Sequence, residues 1–141
     1  NGHLEVVKYL LSKVEISENS RGAFVRVTAI YGHLEVVKYL LANGLISENS
    51  RGLAIRFAAE NGHLEVVKYL LANGEMYIVD RVKALQSAAS RGHLEIAQLL
   101  IVNGEISEAD REEAVRLALS GGHQSVADFL KQNLGWSCSV M

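Results

Sequence analysis

The sequence predicts an all-α protein, a helical-repeat solenoid of about five helix pairs with a 30-residue period. Three observations carry this. The decapeptide Gly-His-Leu-Glu-Val-Val-Lys-Tyr-Leu-Leu occupies 2–11, 32–41 and 62–71, and returns in looser form from Gly92 and from Gly122. Between its copies lies a second helical pattern, rich in alanine, such as Leu53, Ala54, Phe57 and Ala58, or Ala114, Val115, Leu117 and Ala118. Proline is absent altogether, so no helix interior is broken by a missing N–H.

Each element of the pair follows from local chemistry. In the repeated segment Leu34, Val37, Leu40 and Leu41 fall at helical spacing and form one apolar face, while Glu35 and Lys38 sit three apart on the other and can pair. The alanines of the other helix let a neighbour approach closely. Gly32, Gly62, Gly92 and Gly122 follow the alanine-rich helix and suit the left-handed residue that ends it, after which the chain reverses into a histidine and the second helix. For the start of the alanine-rich helix two sets of capping residues recur in register, Ser17, Ser47 and Ser107 or Ser20, Ser50, Asp80 and Asp110, and the start is placed between them. Neither helix can bury its apolar face alone, so the pairs must stack, and the core is a ribbon rather than a ball. Repeats begin at 1, 31, 61, 91 and 121, the first truncated, giving a solenoid over 1–133 and a tail over 134–141. The chain opens at Asn1 in the middle of a repeat, which reads as a fragment of something longer. The last helix, with Gln124, Ser125, Asp128, Lys131 and Gln132, is more polar, as a terminal cap should be.

Composition narrows the function classes. A net charge of -2 and a pI near 6.2 give no global attraction to phosphate or to an anionic bilayer. The apolar runs, such as Leu99-Leu100-Ile101-Val102, fall far short of the roughly 20 residues needed to cross a membrane. A single cysteine, Cys138, rules out an intrachain disulfide and points to a reducing compartment, the cytosol.

The run Ala58-Ala59-Glu60-Asn61-Gly62-His63-Leu64-Glu65-Val66-Val67-Lys68-Tyr69-Leu70-Leu71 resembles the inner half of an ankyrin repeat, and copies of it cover almost the whole chain. Two departures stand out. Ankyrin repeats usually run 33 residues with a Thr-Pro-Leu-His turn, whereas the matching positions here read Leu53-Ala54-Ile55-Arg56 and three residues are missing from the connection. The projecting β-hairpin is therefore expected to be shortened or absent. The 30-residue period and the Ala-Ile-Arg turn are similar to ankyrin repeats of giant amoebal viruses and amoeba-associated organisms.

Three ladders of side chains invite functional readings. His3, His33, His63, His93 and His123 share one register position. Successive rungs of a helical solenoid sit on the order of 10 Å apart, too far for two to share a zinc ligated at about 2 Å, so they are read as helix-start residues bonded to nearby backbone. Arg21, Arg51, Arg81 and Arg111 form a second ladder, and Arg26, Arg56 and Arg116 a third that Gln86 interrupts. A basic stripe can track a phosphate backbone, but Glu48, Glu60, Asp80, Glu108, Asp110, Glu112 and Glu113 lie in the same segments, which favours intramolecular pairing or a solvated face. The Arg26 register matches the ankyrin turn histidine, which implies a structural bond between repeats.

Chemistry-bearing motifs are missing: there is no glycine-rich phosphate loop, no His-Glu-x-x-His, no cysteine–histidine cluster and no serine in a nucleophile elbow. No enzyme activity, metal or cofactor is expected of this segment, and no small-molecule substrate. What varies between repeats while the scaffold stays fixed is what a binding module needs. The family resemblance implies that the two positions before Gly-His face partners, and here they are Ile30 and Tyr31, Glu60 and Asn61, Ser90 and Arg91, and Ser120 and Gly121. The alternative at each is drift at an exposed site. The divergent connection Met76-Tyr77-Ile78-Val79 is either a contact patch centred on Tyr77 or a segment tucked onto its neighbours.

The final residues Cys138-Ser139-Val140-Met141 fit a C-a-a-X farnesylation signal. Against it, Trp136 and Ser137 share the register of Ile46 and Ser47, so the tail also reads as the next connection cut short. One lipid alone anchors marginally, and the membrane is a partner only if Cys138 is prenylated. The expected function is a cytosolic protein-interaction scaffold. The alternative is the repeat region of a larger enzyme or ubiquitin-ligase adaptor whose catalytic part lies upstream, and a minor one is nucleic-acid binding through the arginine ladders.

Overall fold

A computed structural model describes residues 3–13, 15–102 and 106–132, and the description below is confined to these. Nine α-helices occur among them: α1 His3–Lys13, α2 Glu18–Ile30, α3 Leu34–Ala42, α4 Glu48–Glu60, α5 Leu64–Ala72, α6 Ile78–Arg91, α7 Leu94–Val102, α8 Glu108–Ser120 and α9 Gln124–Gln132. No strand occurs among the described residues, so the connections there form no β-hairpin. The even-numbered helices are the alanine-rich ones, and each pairs with the odd-numbered helix that follows it.

The alanine-rich helices begin one residue after Ser17, Ser47 and Ser107. Each serine hydroxyl accepts a hydrogen bond from the backbone N–H three residues on, at Ser20 (3.3 Å), Ser50 (3.2 Å) and Asp110 (3.2 Å). Of the two candidate sets, the earlier supplies the cap, because only that side chain precedes the orphan N–H groups of the first turn. The later set is used as well. Ser17, Ser47 and Ser107 donate from their hydroxyls to Ser20 Oγ, Ser50 Oγ and Asp110 Oδ2, the last at 2.6 Å. In α6 the cap position is Tyr77, whose side chain makes no capping bond.

Each alanine-rich helix ends against a glycine with positive φ: Gly32 at 71°, Gly62 at 76°, Gly92 at 79° and Gly122 at 79°. That conformation releases the next N–H back toward the helix. The amides of His33, His63, His93 and His123 accordingly donate to the carbonyls of Thr28, Ala58, Ala88 and Ala118.

The even-numbered helices form one row and the odd-numbered helices a second, and packing is closest along the first row. Ala54, Ala58, Ala59, Ala84, Ala88, Ala89, Ala114 and Ala118 are all fully buried there, so the helix axes approach with little side-chain bulk between them. The second row contributes the larger apolar groups, Val36, Val37 and Leu40 in α3 and their counterparts Val66, Val67 and Leu70 in α5. The buried stripe is thus centred on Val36, Val37 and Leu40, while Leu34 and Leu41, expected on the same apolar face, lie at its edge and are only partly buried.

Helix α1 provides an internal control on what buries this stripe. It carries the same Leu-Glu-Val-Val-Lys-Tyr-Leu-Leu as α3, yet Val6 and Leu10 are 55% and 52% exposed where Val36 and Leu40 are 6% and 1% exposed. The difference is packing, not sequence: α3 lies under α2, and no described helix lies in the equivalent place over α1.

Candidate functional site

Two rungs of the histidine ladder, His63 and His93, bind repeats to one another. Neither His33 nor His63 caps its own helix with its side chain. Instead His63 Nε2 lies 2.7 Å from the carbonyl oxygen of Ile30, and His93 Nε2 lies 3.0 Å from that of Glu60, each in the preceding repeat. A carbonyl only accepts, so Nε2 carries the proton in both. The rings rest on glycines of that preceding repeat. A Cβ added at Gly62 would come within 2.7 Å of the His93 ring, and the same crowding links Gly32 with His63 and Gly92 with His123. The bond expected to nearby backbone therefore exists, but it crosses between repeats. Among the described residues no group of three or more histidine, cysteine or acidic side chains is placed to hold a metal.

The first arginine ladder is also turned inward. Arg21 donates through Nε to the carbonyl of Ile16 (3.1 Å), Arg51 to that of Glu75 (3.0 Å) and Arg81 to that of Leu100 (3.3 Å). These carbonyls belong to the connections and to the last turn of an odd-numbered helix, where backbone acceptors lack intrahelical partners. Intramolecular pairing with carboxylates or a solvated face was the expectation for these arginines, and bonding to backbone carbonyls is what Arg51 and Arg81 do. Arg81 is buried, and desolvation pushes its pKa down from the ordinary arginine value. A stripe in this condition offers little to a phosphate backbone.

The third ladder is exposed in part and lies on the outer face of the first row. On α2 the residues that turn away from the core are Ala23, Arg26, Val27 and Ile30; on α4 they are Leu53, Arg56, Phe57 and Glu60, at the same helical spacing. The Arg26 guanidinium lies 5.9 Å from the centroid of the Phe57 ring in the next repeat, close enough for a cation–π contact. The structural bond between repeats expected at this register is met by that contact alone. Arg56 makes no such contact, and Arg116 pairs within its own helix with both oxygens of Glu113, holding that carboxyl below its ordinary range.

The candidate partner residues gather at the end of this same face. Tyr31 is 66% exposed and stacks near His33, with ring centroids 6.2 Å apart. Asn61 and Arg91 are exposed, and Ile30, Glu60 and Ser90 are half-buried beside them. Three are also tied into the stack. Arg91 reaches back to Glu60 at 3.0 Å, Asn61 Nδ2 donates to the Phe57 carbonyl, and Ser90 Oγ donates to that of Ser87. Ser120 and Gly121 are exposed, but the Gly121 backbone approaches the Ser90 carbonyl so closely that a Cβ would fall 2.6 Å from that oxygen. Gly121 therefore serves packing. The sequence reading missed Val27, Leu53, Arg56 and Phe57 as members of the face. Their spacing of three, four and seven residues from Ile30, Tyr31 and Glu60 was the available signal.

Tyr77 lies at the opposite end of the helices from these turns, just before α6. It is 55% exposed and donates to Glu48 Oε2 at 3.0 Å; that bond, with the nearby charges of Glu48 and Asp80, raises the phenol pKa above its usual value. Ile78 and Val79 are exposed beside it, while Met76 packs against the core. The connection is thus divided between the two readings of it. Cys138, Trp136 and the rest of the tail lie outside the described residues, and no described helix is long and apolar enough to cross a membrane.

No curated protein matches the chain. A family model described as ankyrin repeats (3 copies) matches residues 1–80 and again 55–140, and so covers almost all of it. With paired helices at a 30-residue period, positive-φ glycines closing the first helix of each pair and a Gly-His step that locks successive repeats, this chain belongs to the ankyrin-repeat family.

Proposed function

We propose that this solenoid is a non-catalytic protein-interaction scaffold and that it binds through the outer face of the α2–α4–α6–α8 row. Ankyrin repeats are in general protein–protein interaction modules. The observation that carries the reading to this face is that its side chains change from rung to rung over a backbone that does not. At equivalent positions stand Val27, Phe57, Ser87 and Leu117, and at the turn that follows stand Tyr31, Asn61, Arg91 and Gly121. The opposite surface repeats instead over α1, α3 and α5: Glu5–Lys8, Glu35–Lys38 and Glu65–Lys68 form the same pair three times, at 3.5, 3.3 and 3.5 Å. Exposed ion pairs of this kind contribute little to binding energy and carry no information that distinguishes one rung from another.

A peptide selected from a random displayed library against the intact chain tests this. Tyr31→Ser is expected to weaken its binding about tenfold, as a hot-spot truncation does, while Glu35→Ala and Glu65→Ala leave it unchanged. Equal losses on both surfaces would dispose of the assignment. Farnesylation of Cys138 is a finer proposal that rests on sequence alone. Where Cys138-Ser139-Val140-Met141 is the carboxyl terminus, the protein from eukaryotic cells should gain a farnesyl mass that Cys138→Ser lacks, and an unmodified mass removes the proposal.

A further inference from the structure

The charge on the interaction face is unevenly compensated, and on the reading just given this identifies the partner's chemistry. Two carboxylates occupy the outward register, and an arginine holds each: Glu60 is held by Arg91 at 3.0 Å, and Glu113 by Arg116. The first two rungs differ. Arg26 is exposed and, among the described residues, meets the Phe57 ring and no carboxylate. Among the described residues Arg56 makes no hydrogen bond or ion pair; its Nε, like that of Arg51, is withdrawn from solvent, and its terminal N–H groups are the donors an incoming carboxylate can reach. Around these guanidinium groups lie exposed Val27, Tyr31 and Leu53, with half-buried Phe57 between the rungs.

We propose that the α2–α4 part of this face docks an acidic protein segment bearing an apolar side chain. Its carboxylates would meet Arg26 and Arg56, and its apolar group would sit on Val27, Tyr31 and Phe57. Guanidinium is suited to this role because its planar fork takes a carboxylate through two parallel N–H donors while its face stays on an aromatic ring. The chain as a whole carries -2, so it gives an acidic partner no global attraction. Recognition therefore depends on local complementarity, and that makes the α2–α4 rungs selective within the molecule. A nucleic acid fits less well. Arg21, Arg51 and Arg81 are committed to carbonyls, and Arg26, Arg56 and the exposed Lys83 of α6, set among apolar and neutral groups, do not make a continuous phosphate track.

The test is selection of a random dodecapeptide library on phage against the immobilised intact chain, with excess soluble Tyr31→Ser chain present to strip away binders that ignore this face. The expected product is a set of peptides enriched in Asp and Glu beside Phe, Leu or Trp. The tightest should lose at least tenfold in affinity on Arg26→Gln and on Arg56→Gln, and less than twofold on Arg116→Gln, whose guanidinium is already paired, with helical circular dichroism matched throughout. Enrichment of neutral or basic peptides that still need Tyr31 overturns the acidic partner and leaves the interaction face standing. Failure to enrich any peptide over the Tyr31→Ser competitor overturns both. A twelve-nucleotide thymidine strand that binds as tightly, and loses that binding on Arg26→Gln, overturns the protein partner in favour of nucleic acid.

Discussion

At the scale of single residues, the Gly-His step explains why a glycine is needed where it is. Gly62 carries two constraints at once, a φ of 76° and the ring of His93 against its Cα. Gly44, with φ 65°, and Gly122, with φ 79°, have open space where a Cβ would go. Replacing Gly44 or Gly122 by alanine should therefore cost only the left-handed backbone, about 1 to 2 kcal/mol. Gly62→Ala should cost that and also displace the histidine, losing a further ~1 kcal/mol with the bond to the Glu60 carbonyl. Urea midpoints of the three variants measure the difference, and equal losses would mean that the histidine contact contributes nothing. By the same argument His93→Ala should destabilise and His33→Ala should not, because His33 is exposed and no bond to a preceding repeat holds it among the described residues.

At the scale of elements, α6 is the exception that tests the capping argument. Where α2, α4 and α8 follow a serine, α6 follows Tyr77, yet Asp80 still stands at the position Asp110 holds in α8. Tyr77→Ser recreates the Ser-x-x-Asp arrangement in which Ser107 Oγ and Asp110 bond to each other. It should stabilise the fold by about 0.5 to 1 kcal/mol, the usual worth of an N-cap, less what is lost with the exposed bond to Glu48. A rise in the thermal midpoint with no change of helix content would confirm it. If the natural residue is less stable than the serine that the other rungs use, then Tyr77, Ile78 and Val79 are retained for something other than folding, and a partner contact is the physical candidate.

For the whole molecule, stability is a sum over neighbouring rungs, and the described ends are not equivalent to the middle. Helix α1 leaves Val6, Tyr9 and Leu10 in solvent, whereas α5 is covered by α4 and flanked by α3 and α7. Native-state amide exchange should therefore be fastest in α1 and slowest in α4 to α6, and uniform protection along the chain would contradict the additive picture. Truncating the middle should be costly. Leu70→Ala removes a fully buried side chain and is expected to cost about 2 to 5 kcal/mol, while Leu10→Ala, at the same register in α1, should cost well under 1 kcal/mol, as a half-exposed group does. The same chemical change read at two rungs isolates what stacking contributes.

Periodicity alone determined a great deal about this protein: paired helices, a 30-residue period, glycines in the left-handed region and a core spread along a ribbon. These are legible because they depend on residues close in sequence. Backbone sterics place Gly62, local hydrogen bonding places Ser47, and helical spacing places Val37 and Leu40. Contacts between rungs were decided by the tertiary structure. It turned His63 to the Ile30 carbonyl and Arg81 to that of Leu100, buried Val36 while leaving Val6 exposed, and tied Arg91 to Glu60 while leaving Arg56 without a carboxylate. The reason is distance along the chain. A side chain whose partner is about a repeat away shows only its register in the sequence, and whether it bonds, buries or stays free depends on which neighbouring rung lies beside it.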